Sequence, residues 1–199
     1  MDSDAICREL AKPLDPKHVK PAKKFGPKGD YIEAWHAQAE ANRIFGHLGW
    51  SQEIIGEPKC VMQAERKLGR DQKDGWGVTY TVRVRVSAHG KVSEDFGAGH
   101  GYDVDLGLAH ESAIKEAVSD AVKRALKAFG NPFGLALYDK SRENVRPPEM
   151  TAEDAIVGFA HQGDLDSLRG YWVALGPARD LPGVLAAKDK RKSDLEQAA

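Results

Sequence analysis

Between residues 76 and 86 the chain sets apolar and polar side chains in strict alternation. Trp76, Val78, Tyr80, Val82, Val84 and Val86 take one parity; Gly77, Thr79, Thr81, Arg83 and Arg85 take the other. Successive side chains of a strand point to opposite faces, so this pattern predicts a strand with one buried and one wet face. Arg83 and Arg85 fall on the wet one. His89-Gly90 supplies a turn, and KVSEDFG reads as a returning antiparallel strand. Upstream, WSQEIIG reads as a strand beginning at Trp50, Pro58 interrupts it, and CVM resumes it. Residues 65–75, ERKLGRDQKDG, read as a polar hairpin loop.

After GAGHGYDVDLG, which reads as a Gly-rich loop, the period changes. Gly97, Gly99 and Gly101 are expected to give that loop conformational freedom. From near Leu108, the residues Ile114, Ala117, Val118, Ala121, Val122, Ala125, Leu126 and Phe129 follow the i, i+3, i+4 spacing of an amphipathic helix. At about 100° per residue the stripe covers about half the circumference. Glu116, Asp120, Lys123, Arg124 and Lys127 fall on the other half. Gly130 is suited to the C′ position, and Pro132 forbids continuation. An earlier helix is predicted from Asp30 and Glu33, spaced as a capping box, through Ala34, Trp35 and Ala41 toward Phe45, with Gly46 and Gly49 ending it. The elements predict an α+β fold, with an antiparallel sheet packed on a long helix.

DKSRENVRPPEM, residues 139–150, is charged, carries Pro147-Pro148 and has no apolar periodicity, which marks a linker. Beyond it Ile156 and Phe159, then Leu165, Leu168, Trp172 and Leu175, then an Ala/Lys-rich end predict three short helices. This divides the chain into a basic arm (1–29), a main domain (30–140), a linker (141–150) and a small C-terminal helical module (151–199). The module is too short to hold much core and is expected to be marginal alone.

With 199 residues, 41% hydrophobic and 30% charged, the composition is that of an ordinary soluble globular protein. No apolar run approaches the roughly 18 residues of a membrane span, so no membrane partner is expected. MDSDAICREL is acidic where a signal peptide would be basic, which points to a cytoplasmic protein. Cys7 and Cys60 belong to no CxxC and read as reduced thiols. The net charge of −1 hides an asymmetry: Lys12, Lys17, Lys20, Lys23, Lys24 and Lys28 stand against the single acid Asp15. Pro13, Pro16, Pro21 and Pro27 keep that segment out of a helix. It is either an arm that attracts polyanions or a solvated leader.

Lys123 and Lys127 lie one helical turn apart, flanked by Arg124. Asp120, four residues before Arg124, allows a salt-bridged wet face, and cations are favoured near a helix C-terminus in any case. Phosphate binding gains weight if the basic arm and the Arg83/Arg85 face meet the same groove. GAGHG is neither GxGxxG nor GxxxxGK[ST], so no nucleotide motor and no cofactor are expected. His100, Asp103, Asp105, His110 and Glu111 have a density that could hold Mg²⁺ or Mn²⁺ as a nuclease does; a solvated loop beside a helix N-terminus accounts for the acids equally well. No GxSxG elbow exists, and Cys60 has no identifiable base, so no nucleophilic enzyme is predicted.

The order of the motifs is specific. "DYIEAWHAQAEANRIFGHLGW" (30–50), "VTYTVRVRV" (78–86), "EDFGAG" (94–99) and "KEAVSDAVKRALKAFGNPFGLALYDK" (115–140) resemble the conserved N-terminal domain of the Rad fifty-two family of single-strand annealing proteins, over residues 12–140. The resemblance implies a β-β-β-α core with an extra N-terminal helix, assembled into a homo-oligomeric ring or arc. It implies DNA recombination and repair by ATP-independent annealing, in which single-stranded DNA lies in a basic groove, backbone inward, and pairs with a complementary strand. Lys123 and Arg124 match the family's Lys-Arg pair, Lys127 replaces a family arginine, and Tyr31 matches the inner-site tyrosine. Lys20 or Lys23 stands in for the arginine of the arm. Lys73 falls near one lysine of a second, outer site; where the other is expected, the chain carries Asp103 and Asp105. The chain's size suits a bacteriophage or bacterial member acting at the nucleoid, whose partners would be a single-strand-binding protein and an exonuclease; the C-terminal module is read as docking a partner or tuning the oligomer, beside the plainer reading of solvated helix with no partner. Two other readings stand beside it: a metal-dependent nuclease using the His100–Glu111 cluster, and a DNA-packaging protein that does not anneal.

Overall fold

The computed structural model describes residues 3–22, 29–147 and 149–197. It falls into two compact units, Met1–Pro147 and Pro148–Ala199. The first holds, in chain order, α1 (Ser3–Ala11), β1 (Val19–Lys20), β2 (Tyr31–Ile32), α2 (Ala34–Phe45), β3 (Trp50–Ile54), β4 (Lys59–Leu68), β5 (Lys73–Ala88), β6 (Lys91–Asp103) and α3 (Leu106–Lys127), then 3-10 turns at Asn131–Phe133 and Leu135–Tyr138. The α+β class with an antiparallel sheet on a long helix is the observed one.

The alternating segment is the hub of the sheet. β6 pairs with β5 from Ala88↔Lys91 to Trp76↔Asp103. Along the other edge β3 takes one part, Ile54↔Val84 to Trp50↔Ala88, and β4 the rest, Leu68↔Lys73 to Lys59↔Thr81, with a bulge between Cys60 and Met62. Val78, Val82, Val84 and Val86 are buried, as the alternation requires. The expected hairpin loop at 65–75 shrinks to a tight turn, because β4 runs on to Leu68 and β5 starts at Lys73. The polar side chains there mark strands exposed on their faces, and the backbone ladder does not need apolar residues to form.

The Gly-rich segment is strand as well. β6 continues through it to Asp103, so the expected loop does not exist. Gly97, Gly99 and Gly101 face α3, where Ala109, Ala113, Ala117 and Ala121 are fully buried. A Cβ at Gly97 would stand 2.2 Å from the Ala121 nitrogen, at Gly99 2.2 Å from the Ala113 oxygen and at Gly101 1.9 Å from the Ala109 oxygen. These glycines are required for the absence of a side chain, not for freedom of φ. Two strand residues rise about 6.6 Å and four helix residues about 6 Å, so the glycine and alanine repeats stay matched along the contact.

α3 begins at Asp105, whose carboxylate accepts the Leu108 N–H. Glu116 and Asp120, expected on the wet half, accept the N–H groups of His100 (2.7 Å) and Ala98 (3.4 Å). They thereby satisfy donors along the free edge of β6, which would otherwise invite pairing with another strand. At the far end Lys91 donates to the Ala128 carbonyl at 2.6 Å and closes the helix. Asn131 Nδ2 donates to the Ala11 carbonyl, which fastens α1 to the turn after α3.

α2 does not start with the expected capping box. Its N-cap is Glu33, without a side-chain cap bond, because Tyr31 and Ile32 pair with Lys20 and Val19 as a short ribbon. Asp30 therefore lies outside the helix. α2 buries Ala37, Ala41, Ile44 and Phe45, and Phe45 joins Phe129 and Phe133 in an aromatic cluster. His36 is buried too and stacks on His18 at 3.8 Å. The segment expected as a linker is tied down over its first part: the Leu14 N–H donates to the Asn144 carbonyl and the Arg146 N–H to Leu14. α1 itself was not legible in the sequence, where residues 1–29 read as an arm.

The second unit consists of α4 (Ala152–Ala160), α5 (Leu165–Ala174) and α6 (Val184–Gln197). Capping boxes at Thr151/Asp154 and Asp164/Ser167 open the first two. Ala155, Phe159, Leu168, Leu175, Ala178 and Val184 form its own core. Among the described residues no helix is long and apolar enough to cross a membrane. Cys7 and Cys60 are free and exposed.

Two measurements test this packing. Gly99→Val is expected to cost about 1–3 kcal/mol or more by overpacking the helix–sheet contact, read as a lowered denaturant midpoint. Burial, followed by the charge of His18, holds His36 below its ordinary value of 6.5, with Glu40 and Asp15 opposing and Lys17 adding. The folded state therefore prefers the neutral ring. That contribution is complete above about 6.5 and is lost as pH falls from there through the lowered folded value. Between pH 7.5 and 5.5 the wild-type melting temperature should fall more than that of His36→Phe.

Candidate nucleic-acid interface

Because α3 lies flat on β6, the direction of every α3 side chain is fixed. Those off the apolar stripe near its C-terminal end meet β2 and the turns after the helix. Together they enclose a cleft of about 570 Å³, lined among others by Tyr31, Lys123, Arg124, Lys127, Tyr138 and Arg142. The cations sit in the last turns of α3, where the helix dipole favours positive charge.

Each partner in the cleft is specific. Lys123 stands 3.8 Å from Asp120, and its ammonium lies 5.8 Å from the centre of the Tyr31 ring. Arg124 reaches Asp95 on β6 at 3.3 Å. Arg142 reaches Asp30 at 3.2 Å. Lys127 has no carboxylate partner among the described residues; it lies over the Tyr138 ring at 4.2 Å. Tyr138 is 66% exposed, so the ring under the lysine is open to solvent where it lines the cleft. These pairs are partly exposed and reached by water; solvent-accessible ion pairs hold only about 0–1 kcal/mol, so a solute anion can exchange with the carboxylates at small cost. A surface of this type binds phosphate chains by replacing one set of counter-ions with another.

The other predicted residues are placed differently. Lys20 pairs with Tyr31 across the β1–β2 ribbon, and its ammonium is 3.8 Å from Glu33; it does not line the cleft. Lys23 lies outside the described residues. Arg83 and Arg85 project from the sheet face opposite α3, and both pair with Glu94, Arg85 at 2.7 Å. Arg85 also reaches Glu53 at 3.4 Å, and its hydrogen bond holds the Glu94 carboxyl below the ordinary carboxylate range. Within one chain this face does not meet the cleft. Lys73 begins β5, opposite Leu68, at the end of the strand away from the cleft.

The groups of the nuclease reading separate. His100 Nδ1 bonds Thr79 Oγ1 on the face away from α3, while His110 on α3 bonds Tyr80 and Gln63. Asp105 caps α3, Asp103 accepts the Asp105 N–H, and Glu111 pairs with Lys115. Among the described residues no three such groups are placed to share a metal ion. The i, i+4 and loop spacings that brought them together in the sequence are divided by the two faces of the sheet.

Tyr138 and Arg142 were not found by sequence reasoning. Tyr138 is the nearer to legible, an aromatic in the turn that follows a cationic helix. Arg142 stands in a polar stretch without periodicity, and only the chain's return beside β2 brings it to the cleft.

A family model described as Rad52/22 family double-strand break repair protein matches residues 2–153. The DNA repair and recombination protein RAD52 of Kluyveromyces lactis is 39% identical over 140 residues, which cover 69% of this chain and 30% of that protein. The DNA repair and recombination protein rti1 of Schizosaccharomyces pombe is 37% identical over 141 residues, 69% and 36% of the two chains. RAD52 of Saccharomyces cerevisiae is 39% identical over 140 residues, 69% and 28%. The match thus spans about a third of the length of these relatives. All three are fungal, and the bacteriophage or bacterial origin expected from size has no counterpart among them.

Lys123 and Arg124 lie off the buried stripe, and their ion pairs are partly exposed. Lys123→Ala with Arg124→Ala is expected to change stability by no more than about 1 kcal/mol, read by chemical denaturation.

Proposed function

The chain belongs to the Rad52/22 family of double-strand break repair proteins, and from that premise we propose that its first unit binds single-stranded DNA along the α3 cleft and anneals it to a complementary strand without ATP. The observation that carries this reading is the convergence of Lys123, Arg124 and Lys127 with Tyr31 on one cleft. The apolar stripe of α3 packs into the core, where Ala117, Ala121, Val122, Ala125 and Leu126 are buried, and these cations lie off it.

A cleft of alternating cations and tyrosine rings recognises a sugar–phosphate chain without reading sequence. Held by its backbone, the strand keeps its base edges outward and available for pairing. The step performed is base pairing itself, so no bond is made or broken by the protein, and the chain acts as a binding assembly and not as a hydrolytic enzyme. Copies arranged in a ring or arc would place successive clefts along one strand, so that weak single-subunit contacts add up through effective concentration. Each neutralised phosphate releases counter-ions, with a salt slope of about −0.7 per contact for single strands.

Two complementary labelled oligonucleotides are mixed with the protein in EDTA, without ATP, across a salt series. Pairing should be accelerated, the acceleration should fall steeply with salt, and Lys123→Ala with Arg124→Ala should abolish it. Binding without acceleration would leave a packaging protein in place of an annealing one. Strand cleavage that appears only with Mg²⁺ would return the nuclease reading.

A further inference from the structure

Arg142 is held at the cleft by a structured turn. The Arg142 N–H donates to the Asp139 carbonyl at 3.3 Å, the Val145 N–H donates to the Arg142 carbonyl at 2.9 Å, and the Asp139 carboxylate accepts both the N–H and the hydroxyl of Ser141. Arg142 itself has φ +58°, in the left-handed region that a residue with a long side chain rarely occupies. Backbone in such a state persists where its surroundings hold it, and it collects at ligand-binding positions. Here it turns the guanidinium into the cleft that also holds Lys123, Arg124 and Lys127.

The partner of Arg142 is Asp30, at 3.2 Å. The other Asp30 oxygen accepts the Ala22 N–H of the N-terminal segment at 3.3 Å. The Arg142 guanidinium is about two-fifths exposed and the Asp30 carboxylate about as much, so water and a solute anion reach both. A guanidinium offers a planar fork of donors that suits a phosphate as well as a carboxylate.

We infer that Arg142 is a further phosphate-contacting residue of the cleft, and that Asp30 is its resident counter-ion, exchanged for a phosphate when single-stranded DNA binds. This rests on the reading of the cleft as the single-stranded DNA site. Asp30 keeps its Ala22 N–H throughout the exchange, so the N-terminal segment stays attached while the guanidinium changes partner. The contact extends the cationic track from the end of α3 to the turn that follows the Leu135–Tyr138 segment.

The competing role for the pair is mechanical, a fastening of the N-terminal segment to that turn. The two roles differ in sign. Affinity for a fluorescent oligothymidylate is measured by anisotropy over a salt series, for the wild type, Arg142→Gln, Asp30→Asn and Lys123→Ala with Arg124→Ala. Arg142→Gln should weaken binding about five- to tenfold and reduce the salt slope by about 0.7 per contacting subunit. Asp30→Asn should tighten binding severalfold, because asparagine keeps the acceptor for Ala22 and removes the competing charge. Loss of affinity in both variants would assign the pair to fastening and overturn the inference, as would an unchanged slope in Arg142→Gln. If the wild type does not bind, or if the Lys123/Arg124 variant binds as well as the wild type, the reading of the cleft fails first and the inference with it.

Discussion

Contact of α3 with β6 through bare backbone is the constraint on which the first unit depends. Three glycines on the strand meet four alanines on the helix, and no Cβ fits at Gly97, Gly99 or Gly101. At this separation the carboxylates of Glu116 and Asp120 reach back to the strand's free N–H groups. The helix therefore covers a face of the sheet and protects one of its edges at the same time. The close approach also fixes the rotation of the helix about its axis, since any turn would drive an alanine Cβ into the strand.

That fixed rotation sets the cleft. With Ala117, Ala121 and Ala125 against the sheet, Lys123 and Lys127 are turned toward Tyr31 on β2 and Tyr138 after the helix, while Arg124 at the same cleft reaches back to Asp95 on β6. The cleft is then a consequence of core packing, and its cations stand on a rigid helix and not on a loop. Such placement leaves little side-chain and backbone freedom to be lost by any ligand's binding, which is a form of preorganisation.

The charges of the cleft are largely balanced before anything binds. Asp120, Asp95 and Asp30 each accompany one cation, and only Lys127 among these cations rests on an aromatic ring instead. A groove compensated in this way avoids the self-repulsion of clustered cations, at the cost of competing with its own ligand. Under the proposed reading, binding would be an exchange of carboxylates for phosphates, shallow in energy per site and reversible.

The alternation at 76–86, the stripe of α3 and a stop before Pro132 were readable in the sequence, because each is a local period or a local steric rule; Gly130 is not the C′ residue expected, since the helix closes at Ala128 and Gly130, with φ 163°, is extended. So was the Lys123/Arg124/Lys127 cluster, which needs only helical geometry. Polar strands at 65–75 were not readable, since a strand exposed on its faces carries no apolar alternation. Nor was the role of the glycines: from sequence alone, a glycine that frees φ and one that lets a helix approach look the same. Asp30 looked like a helix cap because its spacing to Glu33 was right, and the β1–β2 ribbon, a pairing across the chain, took that role away. The sequence by itself determined the locally periodic elements and the cations they carry. The tertiary structure alone decided that Arg83 and Arg85 stand on the other side of the sheet, that His100 and His110 part company, and that Tyr138 and Arg142 join the cleft. Those facts depend on which faces and which distant segments meet, and no spacing along the chain encodes that.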